Sequence, residues 1–350
     1  MSDLAKWKVR GSVQTLRVEF AEWDLNQGDW NLPRSSSSVV FRVDGKISKA
    51  DYHNADGSVS LSNYLYDGEG RLTEIQFRTN DLSLHRTLYS YDDAGRQVRT
   101  AIVNPDGSQR DSEACYYEGS GRKAKVHFLD PQMANVACMY GVEGSEQAYG
   151  APGATTMTTV YDENDRPAEV LFHDALNRLL QQITIIRDDA GRLASEEMRL
   201  HGQVPFPELD EKLESSSPGD RARVNAMLAQ LLGPAQTFSK TTYTYDDKGR
   251  LLERNISMLS LGGDRTTFRY DEHDNPIEET CEHNSQEKDI DEQGELRTIA
   301  RPSHTQQFRL QYQYDGRGNW TERVTCSRME PDPDFQRSHV ERREITYHED

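Results

Sequence analysis

The chain has 350 residues, of which 35% are hydrophobic, and a formal net charge of −18. So small an apolar fraction excludes a thick core buried on both sides and favours a sheet with one apolar face and one solvated face. The acidic balance argues against nucleic acid and anionic membrane surfaces as partners, because both need a basic surface.

The N-terminal residues carry charges at short intervals, and no apolar run is long enough for a signal peptide or a membrane span. This predicts a cytoplasmic protein, with export by a route that needs no signal peptide as the alternative. No two cysteines form a C-x-x-C pair, which predicts free thiols rather than a disulfide framework. The four cysteines are Cys115, Cys138, Cys281 and Cys326.

Residues 1–50 are predicted to form degenerate capping strands at the N-terminal end of a repeat array. Val13 to Phe20 indicates a first strand pair, and three tryptophans lie nearby at Trp7, Trp23 and Trp30. Terminal repeats must cover exposed apolar surface, so capping is favoured over ligand binding for these tryptophans.

Residues 51–350 are predicted to be an array of repeats, because one phrase recurs there: an aromatic residue, Asp, two polar residues, Gly and Arg. Several copies are about 25 residues apart. The clearest copies begin at Tyr66, Tyr91, Tyr245 and Tyr314, looser copies begin at Tyr117, Tyr161, His173, Arg187 and Tyr270, and a worn copy begins at Asp291.

The chemistry of the phrase is that of a hairpin turn. Its Asp can accept hydrogen bonds from the turn's own amides, and the residue in the Gly slot must take a positive φ, which closes the hairpin with a bulge. Only Gly, Asn and Asp occupy that slot, and these residues adopt positive φ at least cost. They are Gly70, Gly95, Gly121, Asp165, Asn177, Gly191, Gly249, Asp274, Gly294 and Gly318.

A second turn lies about half a repeat away, as at 54–57 and 104–107. Each repeat is then two strands with turns at opposite ends. The predicted fold is mainly β, with tandem β-hairpin repeats that form a long, twisted and curled antiparallel sheet. Whether this sheet closes is left open by the sequence.

Two insertions interrupt the array, at 130–157 and at 203–236. The first is predicted to be an irregular loop. The second is predicted to be a short helix, since Val224, Met227, Leu228, Leu231 and Leu232 recur at helical spacing and Gly233-Pro234 ends the pattern. Packing across one face of the sheet is favoured for this helix, and a role as a plug or a partner-docking helix is the alternative.

The aromatic residue that opens each copy has two interpretations. As core, these rings pack against neighbouring strands. As a ligand face, they form a ring-lined surface suited to a sugar or to an apolar segment of a partner. The candidate ligand-face residues are Tyr66, Tyr91, Tyr245, Tyr270 and Tyr314.

The sequence predicts no catalytic residues, no cofactor and no metal site. The repeated aspartates are explained by turns, and no carboxylate pair is placed at catalytic separation. His273 and His283 lie near Cys281, but without the tight ligand spacing of a zinc site. There is no glycine-rich phosphate loop and no nucleophile elbow.

The Tyr-Asp-x-x-Gly-Arg phrase, with its spacing, resembles the YD-repeat or Rhs-repeat family over about residues 40–350. That family includes bacterial Rhs and toxin-complex proteins, wall-associated proteins and the animal teneurins. The resemblance implies a spiralling β-sheet, which in the toxins is a hollow shell around a cargo domain, and it implies no activity. Two features depart from the toxins of that family. Pro331 to Phe335 only faintly matches their cleavage motif. A stand-alone protein without a C-terminal toxin domain is expected.

These observations predict a non-enzymatic binding or scaffold protein that recognises a protein partner through its curved sheet or its inserted helix. The alternatives are a shell-like or escort component related to Rhs toxins, a carbohydrate-binding module, and an enzyme with its site in the insertions. A deep polar pocket beside 130–157 would favour the last of these.

Overall fold

The computed structural model describes residues 3–80, 84–119, 121–129, 140–141, 145, 147–201, 236–258, 262–290, 296–300 and 303–349. The chain forms two compact units. Unit one comprises Met1–Arg110, Phe268–Thr280 and Gln306–Asp350, and unit two comprises Asp111–Thr267 and Cys281–Thr305.

The described elements are one short helix and a long series of strands. In chain order they are α1 (Asp3–Lys6), β1 (Val13–Asp24), β2 (Asp29–Trp30), β3 (Arg34–Phe41), β4 (Ile47–His53), β5 (Val59–Tyr66), β6 (Leu72–Thr79), β7 (His85–Tyr91), β8 (Gln97–Val103), β9 (Gln109–Tyr117), β10 (Lys123–Phe128), β11 (Tyr140–Gly141), β12 (Ala148–Tyr149), β13 (Thr156–Tyr161), β14 (Pro167–His173), β15 (Leu179–Arg187), β16 (Leu193–Leu200), β17 (Gln236–Tyr245), β18 (Leu251–Met258), β19 (Gly262–Tyr270), β20 (Pro276–Ile290), β21 (Leu296–Ala300), β22 (His304–Tyr314), β23 (Trp320–Met329) and β24 (Gln336–Tyr347).

Unit one is an antiparallel ladder in the order β22, β23, β24, β1, β3, β4, β5, β6, β7 and β8, with β2 paired to the end of β1. Alternate residues of β1, β3 and β4 meet in one buried cluster, as the period of two in a strand requires. The buried residues are Val9, Val13, Leu16, Val18, Val39, Phe41, Ile47 and Ala50. Helix α1 is fixed to this cluster, because the Ile47 amide donates to Asp3 Oδ2 at 2.9 Å.

The first long strand pairs with the last one, which corrects the predicted fold. β1 is hydrogen-bonded to β3 along one edge and to β24 along the other, in register from Val13–Tyr347 to Glu22–His339. A curled meander would leave a free edge strand at each end of the chain. The prediction of a long, curled sheet is therefore wrong in its topology, since the two ends of the chain are neighbours and the sheet is closed at this seam.

Unit two is an antiparallel ladder in the order β9, β10, β13, β14, β15, β16, β17, β18 and β19, and β20 pairs with β21. The described part of the 130–157 insertion contains the paired strands β11 and β12, and it packs on the ladder. Its Tyr149, Ala151 and Ala154 share one buried cluster with strand residues such as Phe172 and Ile183.

The repeated turns have the predicted backbone. Every described residue in the Gly slot has a positive φ, from +60° at Asp165 and Asn177 to +86° at Gly121. The strand pairs also shift register beside the turns, for example between Leu65 and Tyr66. The predicted turn with a bulge is thus confirmed, while the worn copy at 291–295 lies outside the described residues.

The predicted helix falls almost entirely outside the described residues, since only Gln236 of the 203–236 segment is described and it begins β17. In the part of the chain that the structure describes, no helix is long and apolar enough to cross a membrane. The predicted boundary at residue 50 falls within β4.

Candidate functional site

The carboxylate of each repeated Asp is occupied by its own turn. Asp67 Oδ1 accepts from the amides of Glu69 at 3.0 Å and Arg71 at 2.8 Å, and Asp67 Oδ2 accepts from Arg71 Nε at 2.7 Å. The Arg71 amide and then its side chain hold the pKa of Asp67 below its ordinary value. The predicted turn role is confirmed here and at Asp92, Asp162, Asp174, Asp188 and Asp246.

The turn arginine also joins one repeat to the next. The Arg71 guanidinium lies 5.0 Å from the centre of the Tyr91 ring, and the Tyr91 hydroxyl donates to the Leu72 carbonyl at 2.7 Å. The same two contacts recur where Arg122 meets Tyr161 and where Arg192 meets Tyr245. Each tyrosine is therefore held by a cation–π contact and a hydrogen bond to the preceding repeat.

Two turns have Asn in place of Arg, and their hydrogen bonds differ accordingly. Asn275 is too short to reach the second carboxylate oxygen of Asp271, and the Tyr314 hydroxyl donates to that oxygen instead. Asn275 Nδ2 in turn donates to the Tyr314 hydroxyl at 3.0 Å. Burial and then Asp271 raise the pKa of Tyr314. Asp315, Asn319 and Tyr347 repeat this arrangement.

The five candidate ligand-face tyrosines are all half-buried. The hydroxyls of Tyr66, Tyr91, Tyr245 and Tyr314 are bonded within the repeat frame. Burial, and then Asp3, raises the pKa of Tyr66 to about 12. These contacts favour the core interpretation, and the ligand-face role stays a prediction.

A buried carboxylate that the sequence analysis missed lies beneath the 130–157 insertion. The Glu196 side chain is almost fully buried, and its Oε1 accepts from the Tyr243 hydroxyl and from Ser145 Oγ at 2.5 Å. Gln147 Nε2 donates to Thr241 Oγ1 at 2.9 Å, and the Tyr149 hydroxyl donates to Gln147 Oε1 at 2.8 Å. These bonds fasten Ser145, Gln147 and Tyr149 to β16 and β17, so an anchoring role accounts for the bonded atoms of the cluster. Among the described residues, Glu196 Oε2 is buried without a hydrogen-bond partner. Nothing in the sequence indicated this buried carboxylate, because Glu196 looks like any other Glu in a predicted strand.

Among the described residues, the histidines and cysteines named in the sequence analysis form no cluster that could hold a metal ion. His283 Nδ1 lies 2.8 Å from Asp264 Oδ1, and the His283 ring stacks on His304 with ring centres 4.7 Å apart. His273 packs edge-on against Tyr314 instead. No disulfide joins the cysteines within the described ranges, where Cys115 is buried and burial raises the pKa of its thiol. Cys138 lies outside those ranges.

A groove of about 540 Å³ runs beside β18 and β19 in unit two. Its charged lining residues are already paired, Asp264 with His283 and Arg265 with Glu253 at 2.6 Å. Gly262 and Gly263 allow close backbone approach there, because an added Cβ would lie 1.8 Å from the Asn284 carbonyl oxygen and 2.1 Å from that of Ile256. The described geometry of this groove indicates no particular chemistry.

The β1–β2 hairpin and the residues just after it carry two strongly exposed leucines of unit one. Pairing of β1 with β24 ends at Glu22, so residues 23–32 follow the last residue of β1 that pairs with β24. Leu25 and Leu32 are 70% and 92% exposed. Trp23 and Trp30 meet edge to face with ring centres 4.9 Å apart, and Arg337 lies 4.8 Å from the Trp23 ring.

The tip of this hairpin is an ordered turn. Asp24 Oδ1 accepts from the amides of Asn26 at 2.8 Å and Gln27 at 3.2 Å, and the Gly28 amide donates to the Asp24 carbonyl at 2.8 Å. The Asn26 and Gln27 amides hold the pKa of Asp24 below its ordinary value. The turn thus presents Leu25 from a hydrogen-bonded backbone, and Leu32 follows Asn31, whose amide donates to the Glu22 carbonyl at 2.9 Å.

Exposed carboxylates lie on the hairpin and on the loop that precedes β24. The 330–335 loop leads into Arg337 and carries three exposed carboxylates, Glu330, Asp332 and Asp334, and Asp29 is exposed on the hairpin itself. Among the described side chains, none of these four carboxylates has an ion-pair partner. The hairpin and the 330–335 loop therefore carry exposed negative charge that is not paired within the described residues.

Comparison with known proteins gives one family match: the RHS repeat model matches residues 66–109. No curated protein matches the chain. Among solved structures, a porin-like protein from Bacteroides uniformis ATCC 8492 is 9% identical with a TM-score of 0.35, covering 95% of this chain and 96% of that one. A porin-like protein from Bacteroides vulgatus ATCC 8482 is 13% identical with a TM-score of 0.26, covering 94% and 97%.

Proposed function

Because this chain is an RHS-repeat protein, we propose that it is a non-enzymatic binding module for another protein, with the β1–β2 hairpin as the contact surface. The observation that carries the proposal is the exposure of Leu25 in the hairpin turn and of Leu32 just after β2, at 70% and 92%, past the last residue of β1 that pairs with β24. The repeated Asp, Arg and Tyr side chains support a non-enzymatic role indirectly, because they already make hydrogen bonds or ring contacts within the turns and between repeats.

Exposed leucines beside aromatic and arginine side chains are typical of protein interfaces. Aromatic residues and Arg are enriched in binding hot spots, and the edge-to-face pair Trp23–Trp30 with Arg337 supplies both types. The hydrogen-bonded turn at Asp24 lowers the entropy lost on binding, because the backbone is ordered beforehand.

The charge around the hairpin defines the partner's chemistry. With Asp29, Glu330, Asp332 and Asp334 unpaired among the described residues, the surface attracts cations. The partner segment is therefore apolar where it covers Leu25 and Leu32, and it carries Lys or Arg at its flanks. Complementary charge of this kind speeds association and weakens with added salt.

The test compares three forms of the full chain: wild type, the double variant Leu25→Ser/Leu32→Ser, and the control Leu176→Ser. Leu176 is also strongly exposed, at 73%, but lies in a repeat turn of unit two. Proteins retained from the native host by wild type and by the control, but not by the double variant, are then purified and titrated calorimetrically.

Burying one leucine contributes about 1.5–3 kcal/mol, so loss of each should weaken the purified complex about tenfold or more. Affinity should also fall between low and physiological salt. Equal binding by the double variant would refute the proposal. Loss of self-association in the double variant, measured by analytical ultracentrifugation, would overturn the heterologous partner in favour of a second copy of this chain.

A further inference from the structure

In unit one, one face of β22, β23 and β24 carries several buried N–H and O–H groups that have no hydrogen-bond acceptor. Arg323 lies opposite Glu341 and Thr325 lies opposite His339, and residues directly opposite in an antiparallel pair share a face. Arg343, two residues beyond Glu341 on β24, shares that face too. Within the described structure, Arg343 Nε, Arg343 Nη1, Arg323 Nε and Thr325 Oγ1 are all buried without a hydrogen-bond partner.

Arg343 is the centre of this group. Its side chain is only 9% exposed, and its guanidinium lies 3.4 Å from the centre of the Trp320 ring, which is 4% exposed. Arg323 lies 5.2 Å from the same ring centre, and Tyr312 contacts Trp320 edge-on at 6.1 Å. Two guanidinium groups therefore lie close to one buried aromatic ring.

The charges of this face do not balance. Glu341 is the carboxylate that pairs with the two arginines, and it is 2.7 Å from Arg323 Nη2 but 3.8 Å from Arg343. Glu22, opposite His339 on β1, is paired with Arg34 at 3.2 Å. Burial and then Arg323 hold the pKa of His339 below its ordinary value, so this histidine is neutral at pH 7. One positive charge thus remains without a counter-ion, and an unpaired buried charge is unfavourable.

A second observation agrees with that imbalance. Burial lowers the pKa of Arg343 to about 10, although Glu341 acts in the opposite direction. A bound anion would stabilise the charged guanidinium and supply acceptors to the open N–H groups. The aromatic neighbours exclude water, which strengthens such a contact.

We propose that Arg343 and Arg323, with the Thr325 hydroxyl, form a binding site for a small oxyanion, a carboxylate or phosphate group. This site goes beyond the proposed function, because it lies on a sheet face formed by β22–β24 and shares no residue with the hairpin. Arginine suits both kinds of group because its fixed N–H donors match carboxylate and phosphate oxygens.

The experiment uses the intact protein and titrates inorganic phosphate, sodium acetate and, as a control, sodium chloride at constant ionic strength. Tryptophan fluorescence reports binding, because Trp320 lies directly against Arg343. A Trp320→Phe variant shows which part of the signal comes from this ring. Saturable quenching or enhancement by phosphate or acetate, with no saturable response to chloride, is the expected result. The anion with the tighter midpoint identifies the ligand class.

The arginine variants decide the location. Arg343→Gln should weaken anion binding about 30-fold or more, as expected when one partner of a buried charge pair is removed. The matched control is Arg342→Gln, one residue away on the opposite face, where Arg342 pairs with Glu322 and is 40% exposed. This control should change the midpoint less than about twofold.

Should Arg343→Gln fail to fold, Arg323→Gln is measured in its place. Binding by that variant as tight as by wild type would overturn the site. So would an identical response to phosphate, acetate and chloride, or equal loss of binding in Arg342→Gln.

Discussion

The left-handed turn residue offers the sharpest test of the repeat frame. Gly95 has φ +74°, and its amide donates to the Asp92 carbonyl at 2.9 Å. A Cβ added at Gly95 would meet only the Arg71 side chain, at 3.5 Å from Nη1 and 4.0 Å from Cδ, which is ordinary contact. The backbone at positive φ is therefore the main expected source of any loss of stability in Gly95→Val.

The expected cost follows from that backbone. A β-branched residue held at positive φ costs about 1–3 kcal/mol. Gly95→Asn should cost much less, because Asn177 occupies the same slot of another repeat with φ +60°. Gly68→Ala is the matched control: this glycine also lies in a repeat turn, has no positive φ, and has open space where a Cβ would be. It should be neutral or stabilising by about 0.4–1 kcal/mol.

Urea unfolding followed by circular dichroism and tryptophan fluorescence gives the free energy of unfolding for each variant. The expected order of stability is Gly68→Ala at or above wild type, then Gly95→Asn, then Gly95→Val. An unchanged midpoint for Gly95→Val, or equal losses for Val and Asn, would refute the argument that positive φ sets the residue in this slot.

Two further predictions concern carboxylates. In the folded state, the amide and side chain of Arg71 lower the pKa of Asp67, and the side chain and amide of Arg96 lower the pKa of Asp92. Each aspartate therefore stabilises the fold above its ordinary pKa near 3.8, and this contribution is lost as the pH falls through the lowered pKa. Acid titration should show falling stability below about pH 4, less steeply in Asp92→Asn, and parallel curves would contradict this. Glu196→Ala should lower the free energy of unfolding by about 1–3 kcal/mol, because the hydroxyls of Tyr243 and Ser145 lose their acceptor. It should also make the chain near Ser145 more sensitive to limited proteolysis. Glu196→Gln keeps an acceptor oxygen, so both effects should be smaller. Equal protease resistance in Glu196→Ala and wild type would show that the carboxylate is not the anchor.

Neither of the two proposed binding surfaces could be predicted from the sequence. Leu25 and Leu32 look like ordinary strand and turn residues in the sequence, and only their exposure distinguishes them. Arg343 lies among other charged residues of β24, and the residues next to it in the sequence do not indicate that it packs on Trp320. Both features depend on which face of a strand is covered, which follows from pairing between strands.

The sequence by itself determined the turns. A Gly, Asn or Asp at positive φ and an Asp that caps its own turn are local requirements, satisfied within four residues, as at Asp67 and Arg71. Tertiary structure decided what these hairpins join. The pairing of β1 with β24, where Thr15 Oγ1 and Thr346 Oγ1 lie 2.5 Å apart, connects residues from opposite ends of the chain. The repeat pattern is the same in every hairpin, so it does not predict which strands pair where β1 meets β24. For the same reason it does not predict which buried side chains near that pairing lack a hydrogen-bond partner.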